Sequence, residues 1–172
     1  MNSLKCRKFK RIWNRNLSTG QYEYSKGMID KFNLRVYGIC LLDESVLLVH
    51  ENLNGFAFTK FPGGGLEFGE GLKEALVREI KEELDLDCNI LEHFYTTDFF
   101  QQSAFKANEQ LISVYFLIDI LEINSVYSFP LQLDQSENHQ LRFFWQRISE
   151  MDESMLSFPI DKLILERLKK LE

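Results

Sequence analysis

Apolar and polar positions fall into a regular rhythm from about residue 34 onward. Leu34–Leu42 and Ser45–His50 are two strand-like runs joined by a short turn at Asp43-Glu44. Ala57–Phe61 is a third short extended piece and ends in Pro62-Gly63-Gly64-Gly65. Over Gly71–Leu84 the period lengthens and predicts a helix. Ile90–Phe100 and Leu111–Ile120 return to strand, with a polar loop at Gln101–Gln110 between them. After a loop containing Pro130, Leu141–Ile148 reads as an aromatic-rich strand. Pro159–Leu171 predicts a C-terminal helix, with Ile160, Leu163, Ile164, Leu168 and Leu171 along one side and proline in its first turn. Strands, a central helix, further strands and a final helix predict an α/β (α+β) domain, a mixed central sheet packed between helices in an α/β/α sandwich.

A chain of 172 residues fits one such domain, and fifteen Phe supply ample core material. No apolar run approaches the roughly 18 residues that span a bilayer. Cys6, Cys40 and Cys88 are widely spaced and odd in number, which argues against a disulfide framework and a zinc site and predicts reduced thiols in a cytoplasmic setting. The net charge of −6 is uneven: Lys5, Arg7, Lys8, Lys10, Arg11, Arg15 and Lys26 face only Glu23 in the first stretch, so the remainder is strongly acidic. Such a body repels nucleic acid but suits recruitment of divalent cations. Residues 1–30 are read as a basic extension and 31–172 as the domain. The extension partly fits a targeting segment or a nucleic-acid-binding tail.

The predicted central helix is not ordinary. At about 100° per residue, Leu72, Ala75, Leu76, Val77, Ile80 and Leu84 share one continuous arc that must face the core. Glu79 and Glu83 fall inside that arc, and Glu82 lies at its edge. Like charges at i and i+4 repel, and partial burial raises the repulsion to about 4 kcal/mol at ~4 Å and an effective dielectric near 20. Arg78, next to Glu79, sets one positive charge against three negative. A hard divalent ion with oxygen ligands, Mg2+ or Mn2+, would relieve the repulsion.

Just upstream runs Phe61-Pro62-Gly63-Gly64-Gly65-Leu66-Glu67-Phe68-Gly69-Glu70-Gly71. A glycine turn lets backbone approach a ligand, and its run into a helix N-terminus offers free N–H groups to an anion. Gly71 reads as the helix N-cap, with Glu74 placed to reach back to it.

These residues resemble the Nudix box, G-x5-E-x7-R-E-U-x-E-E-x-G-U with U aliphatic. Gly64, Glu70, Arg78, Glu79, Ile80, Glu82, Glu83 and Leu86 match, eight of nine defined positions, and Asp85 stands in place of the final glycine. Asp tolerates the left-handed conformation that the glycine serves, at a cost of about 1 kcal/mol. The resemblance implies a Mg2+-dependent hydrolase of a nucleoside diphosphate linked to some moiety X, with a small nucleotide as its partner and Mn2+ as a substitute ion. It implies metal ligation by Glu79, Glu82 and Glu83 with the backbone carbonyl of Gly63 or Gly64, and orientation of these carboxylates by Arg78 and Glu70. Lys60, Gly64 and Gly65 are candidates for phosphate contact. The general base varies in the family; Glu137, Glu109 and a box glutamate (Glu82 or Glu83) are all open. Where relatives commonly carry an acid before the late aromatic strand, this chain has Gln140.

Substrate signatures that the resemblance brings with it are not met: no Pro about sixteen residues past the box, no Tyr at the dinucleoside-polyphosphate position, no coenzyme A motif at Leu47-Leu48-Val49-His50. Phe99, Phe100 and Phe105 flank the 101–110 loop and could stack a base, with core packing as the competing reading. His50, His93 and His139 read as structural or surface residues. A Nudix-like ligand-binding or regulatory module is the competing function, and an isomerase on this fold would need a catalytic Cys that the chain does not place. A homodimer stays open.

Overall fold

The computed structural model describes residues 29–126, 128–136 and 138–171. Its elements run β1 (Lys31–Leu42), β2 (Ser45–Leu53), β3 (Phe56–Lys60), β4 (Gly63–Gly65), α1 (Leu72–Leu84), β5 (Cys88–Thr96), β6 (Glu109–Ile120), α2 (Ile123–Val126), β7 (Leu131–Ser136), β8 (His139–Arg147) and α3 (Pro159–Leu168). Most of the basic N-terminal extension, residues 1–28, lies outside the described residues.

The sheet order is β5-β6-β1-β2-β8-β7, with β3 added on β2 and β4 on β1. The β1–β6 pair is parallel and the other pairs are antiparallel, so the sheet is mixed. β1 and β2 pair only next to their turn, at Leu41–Val46 and Leu42–Ser45, and then diverge. The gap between the diverging strands is where the site forms.

Alternation along the central strands divides the interior into two cores. Val36, Cys40, Leu47 and Val49 face Ala75, Leu76, Ile80 and Leu84 of α1. Tyr37, Ile39, Val46 and Leu48 face Ile160, Ile164, Leu165 and Leu168 of α3. Successive strand side chains point to opposite faces, so a strand apolar on both is a central strand covered by a helix on each side. This is the expected α/β/α sandwich, and Cys40 is the small core residue its position predicts.

Three expectations need correction. The triple glycine is not only a turn: Gly63, Gly64 and Gly65 pair with Tyr37, Val36 and Arg35 of β1. Gly63 has φ 129°, and a Cβ there would strike the Val36 carbonyl, so only glycine lets the two backbones lie this close. The strand expected to reach Phe100 stops at Thr96. The final helix ends at Leu168, leaving Leu171 exposed and not part of the apolar face. Strand β7 lies in the segment expected to be a loop, with Leu131 and Leu133 as its only apolar positions.

Both ends of α1 follow local chemistry. The Gly71 N–H donates to Glu74 Oε2 at 2.8 Å, satisfying one of the free donors at the helix start. Asp85 closes the helix at φ 54°, ψ 26°, with its N–H on the Lys81 carbonyl. Asp thus fills the left-handed position usually given to glycine, and Lys81 Nζ lies 3.1 Å from its carboxylate.

Candidate functional site

Helix α1 brings its carboxylates against the glycine strand. Ala75, Leu76, Ile80 and Leu84 anchor the helix in the core. With that face fixed, Glu79 and Glu83 are drawn inward, their side chains 15% and 14% exposed, while Glu82 at the edge of the arc is 59% exposed. Val77, placed inside the arc by the sequence, is partly exposed at its far side. A Cβ on Gly64 would land on the Glu79 carboxylate. The missing side chain is therefore what makes room for that acid.

Arg78 ties the acids together. Its Nε donates to Glu70 Oε1 at 2.5 Å and Nη2 to Glu70 Oε2 at 3.0 Å, a two-pronged pair. Nη2 also donates to the Gly65 carbonyl at 2.9 Å, and Nη1 to Glu79 Oε1 and Glu82 Oε2, each at 3.1 Å. Glu70 chiefly, then Glu79, hold the guanidinium more firmly protonated than usual, and in return Arg78 lowers Glu70. One side chain thereby fixes the glycine strand, the loop before the helix and two acids of the helix.

Lys60 is not an exposed strand lysine but is 3% exposed. Its Nζ donates to the Gly63 carbonyl at 2.7 Å and lies 3.3 Å from Glu51 Oε2 and 3.8 Å from Glu83 Oε1. Burial opposes its charge, but Glu83 and Glu51 hold it above its ordinary value. Glu83 moves the other way: burial raises it to about 7 despite the pull of Lys60, with Glu79 and Glu51 adding to the rise. Its Oε2 is buried without a hydrogen-bond partner. Such an atom costs free energy unless something completes it.

Glu51 was missed at the sequence level. It lies two positions past Val49 and four past Leu47 on β2, and so on the face turned toward α1. An acid continuing an inward apolar row is the signal that could have found it. His139, read as structural or surface, reaches its Oε1 at 2.9 Å. Arg35, on β1, donates from Nε to the Tyr37 hydroxyl at 2.6 Å; Tyr37 foremost, with Glu79 and Glu51, favours its charge.

Arg35, Glu51 and Lys60 open into a cavity of about 260 Å³ that runs to Phe58, Phe105 and Phe158; the box acids Glu79, Glu82 and Glu83 lie behind them and are not among its walls. Asp161, the second residue after the proline-led start of α3, reaches its floor. It is 1% exposed, accepts from the Tyr115 hydroxyl at 2.6 Å, and is pushed by burial to about 7. Glu109 lies on the cavity wall; Asn33 Nδ2 donates to its Oε2 at 3.0 Å and Lys106 Nζ sits 3.1 Å from its Oε1. Those two partners, Asn33 first, hold its carboxyl below the usual carboxylate pKa. Of the three Phe singled out in sequence, Phe105 joins the cavity wall while Phe99 and Phe100 line a neighbouring hollow. Glu137 lies outside the described residues, and Gln140 is an exposed residue of β8.

Among the described residues no three carboxylate, imidazole or thiol side chains converge closely enough to hold an ion as they stand. The cause is visible in the contacts: Arg78 draws Glu79 and Glu82, and Lys60 draws Glu83. The donor set still suits a hard dication. Glu51, Glu70, Glu79, Glu82 and Glu83 outnumber the cations Arg35, Lys60 and Arg78, and Glu83 Oε2 is bare. Oxygen ligands of this kind favour Mg2+ or Mn2+.

Comparisons with known proteins bear on the fold and the family. An "ADP-ribose pyrophosphatase" from Methanocaldococcus jannaschii is 40% identical over 75 residues, 37% of this chain and 44% of that protein. The chain thus matches less than half the length of that relative. A NUDIX hydrolase from Nitrosomonas europaea superimposes with TM-score 0.63 at 21% identity, covering 82% of this chain and 90% of that one. A MutT NUDIX hydrolase from Burkholderia pseudomallei does so with TM-score 0.60 at 14% identity, over 80% and 98%. At such identities the structural likeness establishes the fold. A family model described as the NUDIX domain matches residues 32–167, which spans every strand and helix but the first residue of β1 and the last of α3. With the box residues gathered on α1 and the glycine strand, and the family model covering most of the sequence, the chain belongs to the Nudix domain family.

Proposed function

We propose that the protein is a pyrophosphohydrolase that uses a divalent ion to cleave the diphosphate bond of a nucleoside diphosphate linked to a second moiety. The observation that carries this reading is the buried, partnerless Glu83 Oε2 beside Glu79 on the inward face of α1. The relative from Methanocaldococcus jannaschii, an ADP-ribose pyrophosphatase by name, supports a substrate of that kind.

In this reading Glu79, Glu82 and Glu83, with the Gly63 carbonyl, hold Mg2+ or Mn2+; a carbonyl bonded to Lys60 keeps a second lone pair for the ion. The bound ion would lower the pKa of a water and neutralise charge on the diphosphate. Arg78, anchored by Glu70 and Gly65, would hold the strand, loop and helix in register so that Glu79 and Glu82 could serve the ion. Lys60 and Arg35 meet substrate phosphate oxygens from the cavity side, with Gly64 and Gly65 allowing close backbone approach. Water oxygen bonds to one phosphorus, the bridging P–O bond breaks toward the other, and the water's proton passes to a box glutamate. Glu109 suits that last task poorly, because both its oxygens are engaged and its basicity is lowered.

A ligand-binding module without turnover is the second reading, favoured by the way Arg78 and Lys60 already partner the acids. A panel of nucleoside diphosphate derivatives with Mg2+, scored for nucleoside monophosphate release, separates the two. Turnover lost in Glu82→Gln supports the hydrolase. Wild type as inert as Glu82→Gln across the panel supports the module.

A further inference from the structure

We infer that Asp161 is a specificity-determining residue at the cavity floor, where its unbonded oxygen accepts a hydrogen bond from the 2′-hydroxyl of a ribose, so that the protein takes ribonucleotides over their 2′-deoxy counterparts. The inference rests on the proposed function for the nucleotide character of the ligand, and it deepens that reading by naming the sugar.

The floor is laid by the two parallel central strands. Arg35 lies beside Ser113 and Tyr37 beside Tyr115 in the β1–β6 register. Residues two apart on a strand share a face, so all four stand on the side turned to α3, in whose core Tyr37 and Tyr115 take part. The two tyrosine rings stack at 5.1 Å between centroids. Asp161 meets this block from the first turn of α3, with Oδ1 held by the Tyr115 hydroxyl at 2.6 Å. Arg35 commits its Nε to the Tyr37 hydroxyl. Arg35, Tyr37, Ser113 and Asp161 all line the cavity.

Asp161 Oδ2 has no hydrogen-bond partner among the described residues. Two partnerless side-chain atoms there are sealed from solvent, Glu83 Oε2 and Gln101 Oε1. Asp161 Oδ2 is not one of them, so the 1% of surface that Asp161 keeps includes this oxygen, and the cavity is the space that Asp161 lines. The other wall acids are engaged on both oxygens, Glu51 by Lys60 and His139, Glu109 by Asn33 and Lys106. Asp161 thus supplies the open carboxylate oxygen of a wall otherwise rich in donors. Burying an acid costs free energy that an apolar residue packed with Ile160 and Ile164 would not, and the Tyr115 bond accounts for only one of its oxygens. A hydroxyl donates and accepts at once, which suits this floor. The 2′-hydroxyl of a ribose gives its proton to Asp161 while its neighbour accepts from Arg35 or Ser113. A group that only accepts would meet the donors but be repelled by Asp161. Lys60 and Arg35 lie near enough to favour the charge of Asp161, which places the sugar beside the cations that meet the phosphates, as in a nucleotide.

The test is equilibrium binding of AMP and 2′-deoxy-AMP to the full chain by calorimetry, which needs no turnover. Measured at about pH 8, above the value of about 7 to which burial raises Asp161, it finds the carboxylate mostly ionised. AMP should bind about tenfold or more tighter, the scale of one lost hydrogen bond to a charged group. Asp161→Ala should bring the two nucleotides within about threefold. Tyr115→Phe, which removes the structural partner of the carboxylate but leaves its open oxygen, should keep the preference. Equal affinities in the wild type, or no association of either nucleotide, overturn the inference, as does a preference unchanged in Asp161→Ala. Should that variant not fold, wild type and Tyr115→Phe decide: a preference in both supports the role of Asp161, and its absence from either removes it. Sugar discrimination in a protein that hydrolyses nothing would leave Asp161 in this role and remove only the hydrolase. Turnover of ribo- and deoxyribonucleoside diphosphate derivatives at equal kcat/KM would do the reverse.

Discussion

The two ends of the site are built in opposite ways. The acidic end comes from one stretch of chain, Gly63 to Glu83, in which a glycine strand, a loop and a helix fold back on themselves and Arg78 ties them together. The aromatic end is assembled from distant parts: Asn33 on β1, Phe58 on β3, Gln101 in a loop, Glu109 on β6, Phe158 and Asp161 at α3. Local chain can hold reactive groups in fixed spacing, because helix geometry alone sets where residues three and four apart lie. A cavity needs walls on several sides, which only long-range packing supplies. The spacing of the acids is therefore written in a motif, and the shape of the cavity in the tertiary fold.

Breaking the acidic end should produce the largest effects. Glu82→Gln and Glu83→Gln are expected to lower kcat at least about 100-fold, beyond the 10–100-fold typical of groups that merely orient ligands. Unchanged far-ultraviolet circular dichroism and melting would show that chemistry and not folding is lost. Arg78→Ala should fall within that 10–100-fold range, since it releases Glu70, Glu79, Glu82 and the Gly65 carbonyl together. Steady-state kinetics at saturating Mg2+ would read the effect in kcat.

The cavity floor gives a smaller, pH-dependent signal. Burial raises Asp161 to about 7, so between about pH 4 and 7 the folded chain binds a proton there that the unfolded chain releases. Its contribution is therefore lost as pH climbs toward 7, with a slope no steeper than about 1.4 kcal/mol per unit. Wild type compared with Asp161→Asn by urea denaturation should become relatively less stable as pH rises across that window. A flat difference would contradict a buried, proton-retaining Asp161. The mildest change belongs to the aromatic wall: Phe105→Ala should raise KM about 3–10-fold with kcat nearly kept, as expected for lost stacking remote from the reacting bond.

How much of this the sequence carried follows the same division. The box, the capping role of Glu74 and the left-handed end at Asp85 were readable because each depends on neighbours within a turn or two of helix. Glu51 and Asp161 were readable in principle, as acids continuing inward rows: Glu51 after Leu47 and Val49, Asp161 with Ile164, Leu165 and Leu168. The position of Lys60 was not, since burial of its ammonium depends on Glu51 and on α1, which meet only in three dimensions. The pairing of Gly63–Gly65 with β1 left no mark in composition, because glycine in a strand looks like glycine in a turn.

The most direct measurement is titration calorimetry with Mg2+ and Mn2+ near pH 6 in buffers of differing ionisation heat. Because Glu83 titrates at about 7, most of it holds a proton at that pH, and binding a dication should expel close to one proton per ion, an effect absent from Glu83→Gln. Failure of either ion to associate, or association with no proton released and no change in Glu83→Gln, would show that the acids of α1 are balanced by Arg78 and Lys60 alone.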